Sequence, residues 1–130
     1  MDPVVHFEMP YEDNERVKKF YSTVFGWEMR SYGQEMGNYV TAATTEMDND
    51  NMPLKAGAIG GGFYPMGQDM PKCPSVVIAV ENLEKSIEQI TSAGGTILGN
   101  PMEIPGIGIY VAMKDTEGNR VGVLQPFNMV

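Results

Sequence analysis

Hydrophobic and polar residues alternate from Val4 to Met9, with Val5, Phe7 and Met9 on one side and Val4, His6 and Glu8 on the other. A period of two predicts a strand with two different environments, and Pro10 is expected to end it because proline cannot donate to a ladder. The period then changes. Val17, Phe20, Tyr21 and Val24 recur at helical spacing and predict one buried stripe, with Asp13 or Asn14 as cap and Gly26 as stop. Strands are expected at 27–32, at 38–44 after a turn holding Gly33 and Gly37, and at 58–64 in a glycine-rich run.

The same order then restarts. A strand is expected at 75–80, followed by a helix with Asn82 as cap, Leu83, Ile87 and Ile90 on one face, and Gly94–Gly95 as stop. Three more strands are expected at 96–104, 107–114 and 120–125, with Asp115 to Asn119 forming the last turn. Asp13 to Gly26 and Asn82 to Gly95 share one spacing, offset by 69 residues. Gly37-Asn38-Tyr39-Val40 is echoed by Gly108-Ile109-Tyr110-Val111. An internal repeat therefore organises one domain over 1–130: repeat one at about 1–66, a linker at about 67–73, and repeat two at about 74–130.

Length and charge narrow the partners. A chain of 130 residues can build a core without staples, and its formal net charge of -8 opposes binding to nucleic acid. The basic residues form no cluster that would suit an anionic membrane, and no apolar run reaches the ~20 residues of a membrane span. One cysteine, Cys73, excludes an intramolecular disulfide. The N-terminus shows no basic leader or apolar core of a signal peptide, so a cytoplasmic location is expected.

The ordered set His6-Phe7-Glu8-Met9-Pro10, Phe20-Tyr21 with Phe25-Gly26-Trp27, Ala93-Gly94-Gly95 and Asp115-Thr116-Glu117-Gly118-Asn119 resembles the vicinal oxygen chelate superfamily of glyoxalases, bleomycin resistance proteins and ring-cleaving dioxygenases. The resemblance covers nearly the whole chain. It implies an α+β, glyoxalase-like fold in which two βαβββ units form a cup-shaped mixed sheet, and it implies a homodimer. It also implies four metal-ligand positions, on the first and last strands of the two units. His6 matches the first of these. Ser75 stands at the second unit's opening position, Gly122 stands where an acidic residue is usual, and no glutamate occurs between Glu46 and Glu81. With one histidine and three positions lacking a usual ligand, no cofactor and no complete metal site are expected.

Read by themselves, His6 and Glu8 share a strand face and support three roles: a satisfied polar pair, ligand contacts, or a proton shuttle. Ser75 and Val77 hold the equivalent face of the second repeat. Tyr39 and Tyr110 occupy equivalent places, either as ordinary strand aromatics or as stacking and hydroxyl contacts. The ligand-binding candidates are thus His6, Glu8, Tyr39, Ser75, Val77 and Tyr110, and no catalytic residue is singled out. The expected function is binding of a small organic molecule with one polar end. The alternative is a metal-dependent lyase, isomerase or dioxygenase using His6 and Glu8.

Other motifs carry structure. The run Gly57-Ala58-Ile59-Gly60-Gly61-Gly62-Phe63 lacks the pattern of a phosphate loop and points to close backbone packing or a sheet bend. Asp48-Asn49-Asp50-Asn51 begins like a calcium loop, but Met52 and Pro53 stand where a third donor and a glycine are needed. Cys73 beside Lys72 has no patterned partner for nucleophilic chemistry.

Overall fold

The computed structural model describes residues 1–67 and 72–127. Among these, the order is β1 (Val4–Tyr11), α1 (Asn14–Phe25), β2 (Glu28–Ser31), β3 (Val40–Ala43), β4 (Gly60–Pro65), β5 (Ser75–Ala79), α2 (Leu83–Ser92), β6 (Thr96–Ile104), β7 (Gly108–Lys114) and β8 (Arg120–Pro126). The fold is α+β, with βαβββ occurring twice. The chain groups into two compact units, His6–Pro74 and Met1–Val5 with Ser75–Val130. Residues 68–71 of the expected linker, and Met129 near the C-terminus, lie outside the described residues.

In the first unit the strands lie in the order β2-β3-β4-β1, and in the second in the order β5-β8-β7-β6. The ladders repeat to the residue. Val40 faces Phe63 and Thr41 faces Gly62, which in turn faces Glu8 across a parallel pair. Val111 faces Val123 and Ala112 faces Gly122, which faces Val77. The helix starts repeat as well. Asp13 accepts from the Arg16 N–H and Asn82 from the Lys85 N–H, each at 3.0 Å, satisfying a donor that the helix itself cannot.

Each unit has its own core. In the first, Tyr11, Val40, Ala42 and Phe63 are buried, and Phe7, Met9, Val17, Tyr21 and Trp27 pack against them. In the second, Val80, Leu83, Val111 and Val123 are buried beneath Ile87 and Ile90 of α2. Alternation along β1 thus commits Phe7 and Met9 to the α1 side.

Two expectations are corrected. The stripe on α1 is narrower than its spacing suggests: Val17 and Tyr21 reach the core, but Phe20 and Val24 are 54% and 55% exposed. The Tyr21 ring fills the central seat, stacked on Trp27 at 4.7 Å and touching Phe63 at 5.1 Å, which leaves its neighbours at the margin. Strand β1 also does not stop at Pro10 but runs on to Tyr11, whose carbonyl accepts from the Met66 N–H at 2.9 Å. Alternate residues of a parallel strand direct their N–H groups toward a given neighbour, so one proline near the strand end leaves the ladder closed.

The glycine run proves to be a packing device. A β-carbon on Gly61 would overlap the Phe7 ring, and one on Gly62 would overlap the Tyr39 ring and hydroxyl. In the second unit Gly122 lies against the Tyr110 ring in the same way. Each tyrosine rests where the adjacent strand has no side chain.

Gly62→Ala is therefore expected to destabilise the protein by about 1–3 kcal/mol, because the Tyr39 ring must move. In a Tyr39→Ala background the same change should cost clearly less. Urea unfolding of the four proteins of this cycle measures the coupling, and equal costs in both backgrounds would refute the seat.

Candidate functional site

The polar face of β1 assembles a chain of hydrogen bonds. The Tyr39 hydroxyl donates to Glu8 Oε2 at 2.9 Å, and the hydroxyl oxygen lies 3.1 Å from His6 Nε2. Glu8 is buried, while His6 and Tyr39 are half-buried. Parity of the strands explains the meeting. Phe7 and Met9 face α1, so His6 and Glu8 face away; Val40 is in the α1-side core, so Tyr39 before it also turns away. Gly62, directly opposite Glu8, leaves the space through which Tyr39 reaches it.

The position of Tyr39 is itself secured. Gly37 and Asn38 both have positive φ, 65° and 55°, which swings the chain sharply into β3. The Tyr11 hydroxyl donates to the Asn38 carbonyl at 2.6 Å, and Asn14 Nδ2 donates to that hydroxyl at 3.2 Å. Ser31 Oγ donates to Asn14 Oδ1 at 2.8 Å. A polar relay thus runs from β2 through the first residue of α1 to the residue before Tyr39. An asparagine in the left-handed region is tolerable there because its carbonyl has a firm partner.

Electrostatics set the charge of His6. Burial pushes its imidazole below its ordinary value, with the neighbouring Glu8 carboxylate opposing that shift. The ring is neutral at neutral pH. Elsewhere, the Lys72 ammonium hydrogen-bonds Glu12 at 3.0 Å and holds its carboxyl below the usual range. Lys72 is thereby directed at Glu12, and the neighbouring Cys73 is exposed.

The candidates divide between the units. His6, Glu8 and Tyr39 come together in the first. Ser75 and Val77 are buried in the second, where Val77 faces Gly122 and Tyr110 covers that glycine. The position that holds the Glu8 carboxylate in one unit holds an isopropyl group in the other. Among the described residues, no group of three or more His, Cys, Asp or Glu side chains could hold a metal ion. His6 Nε2 and Glu8 Oε2 are both engaged by one hydroxyl, and β4 and β8 offer glycines at the facing positions. This donor set does not fit a chelated divalent ion.

Two surface grooves lie away from these residues. One, of about 480 Å³, is bordered by Met9, Tyr11, Arg16, Phe20, Lys72 and Cys73. The other, of about 560 Å³, lies beside the start of α2, where Gln125 Oε1 accepts from the Leu83 N–H at 2.8 Å. The sequence marks Tyr39 as a candidate but not as the bridge between His6 and Glu8. The available signal was the pairing of a repeated tyrosine with a glycine in the last strand of each unit.

Comparison with known proteins adds family context. The family model described as bleomycin resistance protein-like N-terminal matches residues 4–44, a span containing His6, Glu8 and Tyr39. The protein CFP32 of Mycobacterium tuberculosis, which carries a provisional glyoxylase name, is 31% identical over 75 residues, covering 56% of this chain and 29% of that protein. The chain thus spans less than a third of the length of the mycobacterial relatives. A glyoxylase-like domain-containing protein of Didymella fabae is 29% identical over 114 residues, covering 86% of this chain and 84% of that one. A variant of Streptomyces coelicolor methylmalonyl-CoA epimerase, solved with 2-nitronate-propionyl-CoA, matches with a TM-score of 0.70 at 13% identity, over 98% of this chain and 96% of that chain. Hypothetical protein BH1468 from Bacillus halodurans matches with a TM-score of 0.67 at 12% identity, over 99% and 97%. The structural likenesses establish a shared fold.

The lowered His6 value has a measurable sign. Between the ordinary imidazole value of 6.5 and the lower folded-state value, the unfolded chain binds a proton that the folded protein resists. The stability tied to neutral His6 is complete above the ordinary value and is lost as pH falls toward the folded one. His6→Gln should flatten the stability curve as pH falls below the ordinary imidazole value of 6.5, as read by urea unfolding. An unchanged slope would show that His6 contributes nothing to it.

Proposed function

We propose that the chain is a member of the vicinal oxygen chelate superfamily and that it binds a small organic molecule on the His6–Tyr39–Glu8 face without a tightly held metal. The hydrogen-bond chain carries this reading. Glu8 is buried and bonded, and a half-buried histidine stands at the accessible end with a neutral ring. Apolar surroundings with a few fixed polar groups are the usual composition of a small-molecule site. Gly62 keeps the strand beside Glu8 free of side-chain bulk, and the Tyr39 ring takes that space, which fixes its hydroxyl against Glu8.

His6, Tyr39 and Glu8 act as a positioned hydrogen-bonding unit in this reading. Glu8 anchors the Tyr39 hydroxyl, that hydroxyl orients the imidazole, and the imidazole meets the ligand. The family match over residues 4–44 supports it, because the whole unit falls within that span. The solved epimerase holds an acyl-CoA analogue, which supports small organic ligands as the class to screen.

The test combines metal analysis with a ligand screen. Protein purified without chelator is expected to carry far less than one metal per chain. A small-molecule library read by thermal shift should contain ligands that stabilise the wild type, by about 2.7 kcal/mol at a hundredfold excess over Kd. His6→Ala and Tyr39→Phe should lose most of that stabilisation. A stoichiometric metal that disappears in His6→Ala would overturn the metal-free reading and favour a metal-dependent lyase, isomerase or dioxygenase.

A further inference from the structure

We propose that this site selects ligands that present a hydrogen-bond donor to His6 Nδ1, such as an ammonium, an amide N–H or a hydroxyl, and discriminates against carboxylates and phosphates. This rests on the reading of the His6–Tyr39–Glu8 face as a small-molecule site. It follows from counting protons along the chain. A tyrosine hydroxyl carries one proton, and here that proton is given to Glu8 Oε2 at 2.9 Å. The hydroxyl oxygen, 3.1 Å from His6 Nε2, can then only accept, so Nε2 is the nitrogen that bears hydrogen. A neutral imidazole has one N–H, which leaves Nδ1 with a bare lone pair.

Nδ1 has no hydrogen-bond partner among the described residues. Its acceptor character is reinforced from behind, because donation from Nε2 toward a hydroxyl held by a carboxylate makes the ring more basic at its other nitrogen. The formal net charge of the chain, -8, acts in the same direction. A carboxylate or phosphate would place an acceptor against an acceptor. Tyr39 is the positioning residue: its hydroxyl decides which nitrogen faces the ligand.

The chain contains a single histidine, so a two-bond proton–nitrogen correlation spectrum of uniformly labelled protein reports this ring without ambiguity. At about pH 7.5 the wild type is expected to show one neutral tautomer, protonated at Nε2, and Tyr39→Phe a mixture of the two. A wild-type ring protonated at Nδ1 or doubly protonated would overturn the proposal. So would a Tyr39→Phe ring still locked in the wild-type tautomer.

Selectivity is then read on the same resonances with three probes that share one ring system: 2-naphthylmethylammonium, 2-naphthylmethanol and 2-naphthoate. The ammonium should bind about tenfold more tightly than the carboxylate, the size of one charge-assisted hydrogen bond. Equal affinity, or preference for the carboxylate, would overturn donor selection while leaving a small-molecule site in place. If none of the three shifts the His6 signals, donor selection at this ring is overturned, and the small-molecule reading is decided separately by the thermal-shift library.

Discussion

A tyrosine laid flat on a β-sheet needs a place where the neighbouring strand has no side chain. In this protein that requirement is met twice, by Gly62 beneath Tyr39 and by Gly122 beneath Tyr110. Much else depends on it. The seat at Gly62 lets the Tyr39 hydroxyl come down between His6 and Glu8, and with any larger residue there the three polar groups could not form one chain. The burial of Glu8 becomes tolerable for the same reason. A buried carboxylate needs hydrogen-bond donors, and the hydroxyl is one of them.

The two units share one backbone plan and diverge in chemistry. Identical registers place Glu8 opposite Gly62 and Val77 opposite Gly122, with a tyrosine over each glycine. In one unit the tyrosine hydroxyl binds a carboxylate and an imidazole. In the other, the equivalent strand positions offer a serine and an isopropyl group. A duplicated fold need not duplicate its function, because packing and polar chemistry reside on opposite faces of the same strands.

Much of this was legible from residue order alone. The helix starts at Asp13 and Asn82, the strand at 96–104 and the offset of 69 residues all rest on local chemistry, in which a capping side chain or an alternation acts within a few positions. The parts that were not legible depend on distant partners. Whether Phe20 is buried depends on how much of the seat Tyr21 occupies, and Trp27 and Phe63 decide that. Whether Pro10 ends a strand depends on whether a neighbouring strand needs a donor at that position, which proline lacks. The role of Tyr39 required knowing that Gly62, far along the chain, would be its floor. His6 and Glu8 were visible as a pair on one face, but the hydroxyl that joins them comes from a turn whose left-handed residue is held by Tyr11.

The recurrence of the seat gives the molecule an internal comparison. At Gly122 an added methyl group meets a tyrosine ring and hydroxyl beside a valine. At Gly62 the same methyl group meets a tyrosine ring engaged with a histidine and a glutamate, so packing and polar chemistry are disturbed together. The two substitutions thus compare one seat in two polar settings within one chain, with fold, solvent and chain length held constant.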